Sequence, residues 1–208
     1  MAKLVGREAL FPSIVSSYEL ESAGAMQQAL LTVVQESVIE TVNKGMFQTP
    51  GNLHHDSRLA DFIGQVKAAI AEHFYFMRYD YEGFEITNCW GNLYRHLHSL
   101  TRHCHPNNFI SGVYYVKAPR GSGAISFFDP RPQASVIDPE KTQFTPYNSG
   151  VVSVPPVEGR LLLFPSWLEH QVEFTVGDEA RVSISFNAML TGCFGASERF
   201  RTSRSAPA

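Results

Sequence analysis

Apolar positions recur at three- and four-residue spacing from Ser22 onward, at Met26, Leu30, Val33, Val34 and Val38, the stripe of one helix face. Asn43-Lys44-Gly45 supplies a stop after it, because glycine suits the left-handed position that closes a helix. Leu59, Phe62, Ile63, Val66, Ile70, Phe74 and Met77 form a second stripe, and neither stretch contains an internal proline. Both predicted helices are amphipathic, so each must cover a surface, and a sheet is the natural partner. Past Tyr81 the helical spacing gives way to short β-branched and aromatic runs separated by Gly, Pro and Asn. These are Phe84–Tyr94, Phe109–Lys117, Ala124–Phe128, Val151–Val154, Arg160–Phe164, Glu169–Val176 and Arg181–Leu190. No helix-length segment interrupts them, which argues against a parallel sheet with crossover helices. The pattern predicts a mainly β protein, an antiparallel sandwich or jelly roll with two helices packed outside.

One domain over residues 1–208 follows from this order: a helical N-terminal part (1–80), a strand-rich core (81–190) and a small, polar, basic tail (191–208) carrying Arg199, Arg201 and Arg204. Between Asp129 and Glu158 lie six of the twelve prolines and little regular pattern. A segment that long is either a sheet-to-sheet crossover or a lid or binding loop.

Composition narrows the class of partner. A formal charge of −3 is a poor match to general nucleic-acid binding, and 18% charged residues with 44% hydrophobic residues describe a folded chain. No apolar run approaches the ~18 residues of a membrane helix, and no signal-peptide core follows the first residues. Cys89, Cys104 and Cys193 cannot all pair, which points to a reducing, cytoplasmic compartment. The size is compatible with a homodimer.

The chemistry concentrates in histidines. Four of the eight fall within ten residues, His96, His98, His103 and His105, in two H-x-H pairs. In a strand, residues i and i+2 face the same way, so such a pair can offer two imidazoles to one ion or simply face water. His170 follows the apolar run Leu161-Leu162-Leu163-Phe164 and a turn at Pro165-Ser166. Arg181 then opens a strictly alternating strand, with Arg181, Ser183, Ser185 and Asn187 on one face and Val182, Ile184 and Phe186 on the other. The polar face is either a solvent face or the wall of a barrel mouth in which Arg181 offers a fork to a carboxylate. Cys104, flanked by His103 and His105, reads as core, Trp90 and Trp167 as packing residues near the site, and His54, His55 and His73 as surface positions on the helical part.

Four motifs occur together in order: His103-Cys104-His105-Pro106-Asn107, Ser111-Gly112-Val113-Tyr114-Tyr115-Val116, Phe164-Pro165-Ser166-Trp167-Leu168-Glu169-His170 and Arg181-Val182-Ser183-Ile184-Ser185-Phe186-Asn187. In this the chain resembles, from about Trp90 to Leu190, a bacterial and phage family of 2-oxoglutarate- and iron(II)-dependent oxygenases. The resemblance implies a double-stranded β-helix, cupin-like core with the two helices on the outer face of one sheet. It implies His103 and His170 as iron ligands, Arg181 as the partner of the far carboxylate of 2-oxoglutarate, and Ser183 as its helper. Tyr114 or Tyr115 would add a hydroxyl to that carboxylate; they sit on opposite faces, so both cannot, and Tyr115 is the preferred one. The usual acid two residues after the first histidine is replaced by His105. His105 itself, Asn107 or a distant acid such as Asp129, or water could fill that position, and His105 is favoured by its parity and its side chain. His103, Pro106 and Asn108 also match the H-x-x-P-x-N spacing of aspartyl/asparaginyl hydroxylases. The expected activity is hydroxylation of a protein side chain or small molecule, with no nucleic-acid or membrane partner. A cupin-like metal-dependent or sugar-binding protein, which would not need Arg181, is the alternative. The Pro-rich loop and the region from Asn88 to Asn92 are expected to shape the substrate site, and Arg181 is expected to stay partly solvated without its anion.

Overall fold

The computed structural model describes residues 2–21, 23–41 and 46–192. The stop at Asn43-Lys44-Gly45, most of the basic tail and Cys193 lie outside them. The first helix, α1 (Ala23–Ser37), and the second, α2 (Ala60–Phe76), follow the predicted stripes. A turn of 3-10 helix at Ser57–Leu59 leads into α2, and the Asp56 carboxylate accepts the Arg58 backbone N–H at its start.

Among the described residues eleven strands form two antiparallel sheets. They are β1 (Ser16–Glu19), β2 (Ile39–Glu40), β3 (Met46–Gln48), β4 (Gly83–Tyr94), β5 (Leu100–His103), β6 (Ile110–Lys117), β7 (Ile125–Phe128), β8 (Val151–Val154), β9 (Arg160–Pro165), β10 (His170–Val172) and β11 (Arg181–Thr191). The major sheet has the order β1-β9-β6-β11-β4-β3-β2 and the minor sheet β5-β10-β7-β8. This is the jelly roll that the strand pattern predicts.

Alternation along β11 sorts the two faces of the major sheet. Val182, Ile184, Phe186 and Ala188 enter the core shared with Leu30, Val34, Phe62, Val66 and Ile70 of the helices. The opposite face meets the minor sheet through Val113, Tyr115, Leu162 and Phe164, packed on Ile125, Phe127 and Leu168. Tight packing between strands requires glycine at Gly112, where a Cβ would come within 2.3 Å of Phe186 Cζ and 2.9 Å of the Leu162 carbonyl oxygen.

The structure departs from the sequence reading in several places, three of them in the architecture of the N-terminal part and the long loop. Strands β1, β2, β3 and β5 were not foreseen, and the N-terminal third is therefore not purely helical. They are two to four residues long, too short to display a period, and only their pairing defines them. Residues 129–150 join β7 to β8, which pair directly in one sheet. Within residues 129–158 the chain passes from one sheet to the other at the short segment holding Pro155 and Pro156, and the longer loop is an insertion in a hairpin. His73 is buried on α2, where its Nδ1 meets the Ser16 hydroxyl at 2.8 Å. Among the described residues no helix is long and apolar enough to cross a membrane.

Candidate functional site

Pairing of β5 with β10 sets His103 directly across from His170, and their ring centroids lie 4.4 Å apart. His105 sits just beyond the end of β5, so its position owes nothing to strand parity. Its backbone N–H donates to the Ser166 carbonyl at 2.9 Å, and that bond turns the chain back over the site. The His105 ring then stands 5.0 Å from His103 and 5.1 Å from His170. One nitrogen from each of the three rings falls within 4.8 Å of the others. Among the described residues this is the one group of three or more His, Cys, Asp or Glu so placed.

Two of the rings are oriented by the backbone. His103 Nδ1 lies 2.8 Å from the Thr101 carbonyl and His170 Nδ1 lies 2.9 Å from the Leu168 carbonyl. Each Nδ1–H donates there, which leaves Nε2 with a free lone pair, the tautomer a metal ligand needs. Burial pushes the pKa of His105 down to about 4, with His170 and His103 adding to the effect. Burial likewise pushes His170 down to about 4, against the opposing hydrogen bond to Leu168. Both imidazoles are therefore neutral and metal-competent near pH 7.

The cavity bounded by these rings has a volume of about 390 Å³ and extends to Arg181 and Ser183. Arg181 is 2% exposed, so it is buried rather than partly solvated. Its guanidinium stacks on Tyr115 and Tyr94 at 5.1 and 5.3 Å, and its Nη1 donates to Ser183 Oγ at 3.2 Å. These contacts offset part of the desolvation that solvent was expected to relieve. Among the described residues the Arg181 Nε–H and the Tyr115 hydroxyl have no hydrogen-bond partner. No carboxylate pairs with Arg181 among the described residues. A buried guanidinium with a free Nε–H and no counter-charge, beside a buried hydroxyl with no partner, fits a carboxylate ligand.

Of the two tyrosines, Tyr115 borders Arg181, whereas Tyr114 faces the helices and packs on Phe62 at 5.2 Å. Tyr114 is thus turned away from the cavity that holds Arg181, and strand alternation separates the two tyrosines. Tyr94 stands directly across from Arg181 in the β4–β11 register and was missed as a member of the site. Asp129 pairs with Arg131 and falls outside the imidazole group, and Asn107 lies in a turn with φ +62 and does not line the cavity. His96 and His98 fall on the connection after β4, outside the cluster. Cys104 is exposed, since the chain has left the strand by that point, and Trp167 is 56% exposed at a turn.

Trp90 does more than pack: it lines the cavity with Asn88 and Asn92 from the same face of β4, as anticipated for this region. Gln48, Thr49 and Gly51 join them from β3 and the segment after it, and these were not foreseen. Their only sequence signal was proximity to a three-residue run, Met46-Phe47-Gln48. The Pro-rich loop contributes nothing to this cavity. It borders a separate groove between β8 and the N-terminal segment, lined by Leu10, Val152, Tyr147 and Leu168.

Comparisons with known proteins agree with this geometry. Residues 88–187 match the family model described as "Putative 2OG-Fe(II) oxygenase". No curated protein matches the sequence. Among solved structures, a Pseudomonas putida prolyl-4-hydroxylase is 16% identical with a TM-score of 0.62, covering 86% of this chain and 94% of its own. SnoN, a non-heme alpha-ketoglutarate-dependent epimerase of nogalamycin biosynthesis, is 12% identical with a TM-score of 0.63, covering 85% and 76%. HygX from Streptomyces hygroscopicus, solved with nickel and 2-oxoglutarate bound, is 11% identical with a TM-score of 0.59, covering 86% and 84%. At these identities the likeness is one of fold.

Proposed function

We propose, on the match of residues 88–187 to the 2OG-Fe(II) oxygenase family model, that His103, His105 and His170 hold the iron(II), that Arg181, Tyr115 and Ser183 hold the 2-oxoglutarate, and that the chain hydroxylates a substrate C–H bond. The protein is an enzyme that uses iron(II) and 2-oxoglutarate. With dioxygen as the oxidant, these would supply oxidative decarboxylation of 2-oxoglutarate to succinate and carbon dioxide, one oxygen atom entering succinate and the other the oxidised substrate. The chain's own residues bind, orient and keep out water. Leu168 and Thr101 carbonyls fix the tautomers of His170 and His103. The Arg181 fork and the Tyr115 hydroxyl would anchor the distal carboxylate of the oxo acid. Phe164, Val113, Ile125 and Val172 exclude solvent from the inner wall.

The observation that carries this reading is the buried, unpaired Arg181 in the same cavity as three convergent imidazoles. A cupin-like binding protein has no use for such a guanidinium, and burying it would only cost stability. The N-terminal strands complete the major sheet and one wall of the cavity, which supports treating the described chain as a single domain. The exposed free thiol of Cys104 supports a reducing, cytoplasmic setting. Anaerobic titration with iron(II) and 2-oxoglutarate tests the proposal. A visible charge-transfer band followed by succinate formation in air is expected, and absence of both at saturating iron refutes it.

A further inference from the structure

The wall that faces the histidines across the cavity comes from β4, β3 and the segment after β3, and its polar groups have an assignable polarity. Trp90 Nε1–H can only donate, and it donates to Asn92 Oδ1 at 3.1 Å. That fixes the orientation of the Asn92 amide, whose Nδ2–H donates to Ser185 Oγ at 3.0 Å. Gln48 meets the same Oδ1 at 2.8 Å and must therefore present its Nε2–H. Gln48 Oε1 is left as an acceptor with no partner among the described residues. At the other end, Asn88 Oδ1 lies 3.5 Å from the Thr87 hydroxyl, and its Nδ2–H donors have no protein partner among the described residues. Trp90 lies between, with its ring 6.1 Å from that of His105. Asn92, the pairing partner of Gln48, lies four positions along β4 from Asn88, roughly 13 Å of strand.

Charge on this wall is absent. No Asp, Glu or Lys, and no arginine besides Arg181, lines the cavity among the described residues. A cationic substrate would lie beside Arg181 and the iron without a counter-charge. An anionic one would satisfy the donors of Asn88 but leave the Gln48 acceptor unpaired.

Resting on the oxygenase reading above, we propose that the substrate is an uncharged amide-bearing molecule. It lies over Trp90, with an N–H donating to Gln48 Oε1 and a carbonyl accepting from Asn88 Nδ2. Recognition by this wall fixes which C–H bond stands next to the iron.

The test uses the full chain loaded anaerobically with iron(II) and 2-oxoglutarate, reading the shift of its charge-transfer band as probes are titrated. N-acetylglutamine methylamide is compared with its glutamate and lysine counterparts. Propionamide distinguishes a free small molecule from a peptide-borne amide, and glucose represents an uncharged polyol. Tenfold or greater preference for N-acetylglutamine methylamide over the charged probes and glucose is expected. A charged probe or glucose binding within threefold of N-acetylglutamine methylamide, or no shift with any probe, overturns the proposal. Asn88→Asp is expected to weaken the amide probe at least tenfold, and unchanged binding there overturns it too. Failure of the band to form before any probe is added is a different result, because it counts against the oxygenase reading itself.

Discussion

Replacing Arg181 by methionine separates a ligand-binding guanidinium from a structural one. The substitution removes one hydrogen bond, to Ser183 at 3.2 Å, worth about 1 kcal/mol. It also removes stacking on Tyr94 and Tyr115 at 5.3 and 5.1 Å, worth about 1–2 kcal/mol each. Against this, it relieves the burial of an unpaired cation that is 2% exposed, a cost of several kcal/mol. The two sides nearly cancel, so stability without cosubstrate should change by less than about 2 kcal/mol. Affinity for 2-oxoglutarate should behave very differently. Two charge-assisted hydrogen bonds at about 1.5–3 kcal/mol each are lost, which weakens binding by roughly 10² or more. Urea denaturation of the metal-free protein gives the first quantity, and anaerobic titration of the iron(II) form gives the second. A loss of more than about 4 kcal/mol in stability, or a dissociation constant for 2-oxoglutarate within threefold of the parent, would refute the assignment of Arg181 to the cosubstrate.

Three further outcomes follow from the geometry. His105→Ala should lower iron(II) affinity by about tenfold or more; unchanged affinity in a metal titration removes His105 from the ligand set. His170 and His105 are held at about 4, while in the unfolded chain they titrate near ~6.5. The unfolded state therefore binds more protons between these values, so this contribution to stability is complete above about pH 6.5 and is lost as pH falls toward 4. Urea midpoints of the metal-free protein should drop from pH 7 to pH 5, with a shallower drop in His170→Gln, and equal slopes would contradict the account. Gly112→Ala forces a Cβ within 2.3 Å of Phe186 Cζ and 2.8 Å of Leu163 Cδ2; it should cost about 3 kcal/mol by overpacking, measured as a lowered Tm.

What could be read in advance divides by the range of the interaction. Helices α1 and α2 and the long strands β4, β6, β9 and β11 were legible because each repeats its burial several times within one element. β5 and β10 carry two of the three imidazoles, yet β5 was missed and β10 was overextended at both ends. Strands that short are defined by their neighbours. The polar face of β11 was visible as alternation, but alternation alone serves solvent and cavity equally well. Only the minor sheet lying over it turned Arg181, Ser183 and Ser185 into a wall. Tyr114 and Tyr115 show the same limit. Parity required them to diverge, and the position of the helices decided that Tyr114 went to the core and Tyr115 to Arg181.

By itself the chain determined its elements, its jelly-roll class and the short list of imidazoles and one guanidinium able to do the chemistry, since periodicity and residue type are local properties. The tertiary structure decided that His105 reaches His103 and His170 through a turn rather than a strand. It also decided that Gln48 and Thr49 belong to the cavity and that the Pro-rich loop does not. Those outcomes depend on pairing between residues far apart in the chain, where the hydrogen-bond register of β3 on β4 and of β5 on β10 sets which side chains meet.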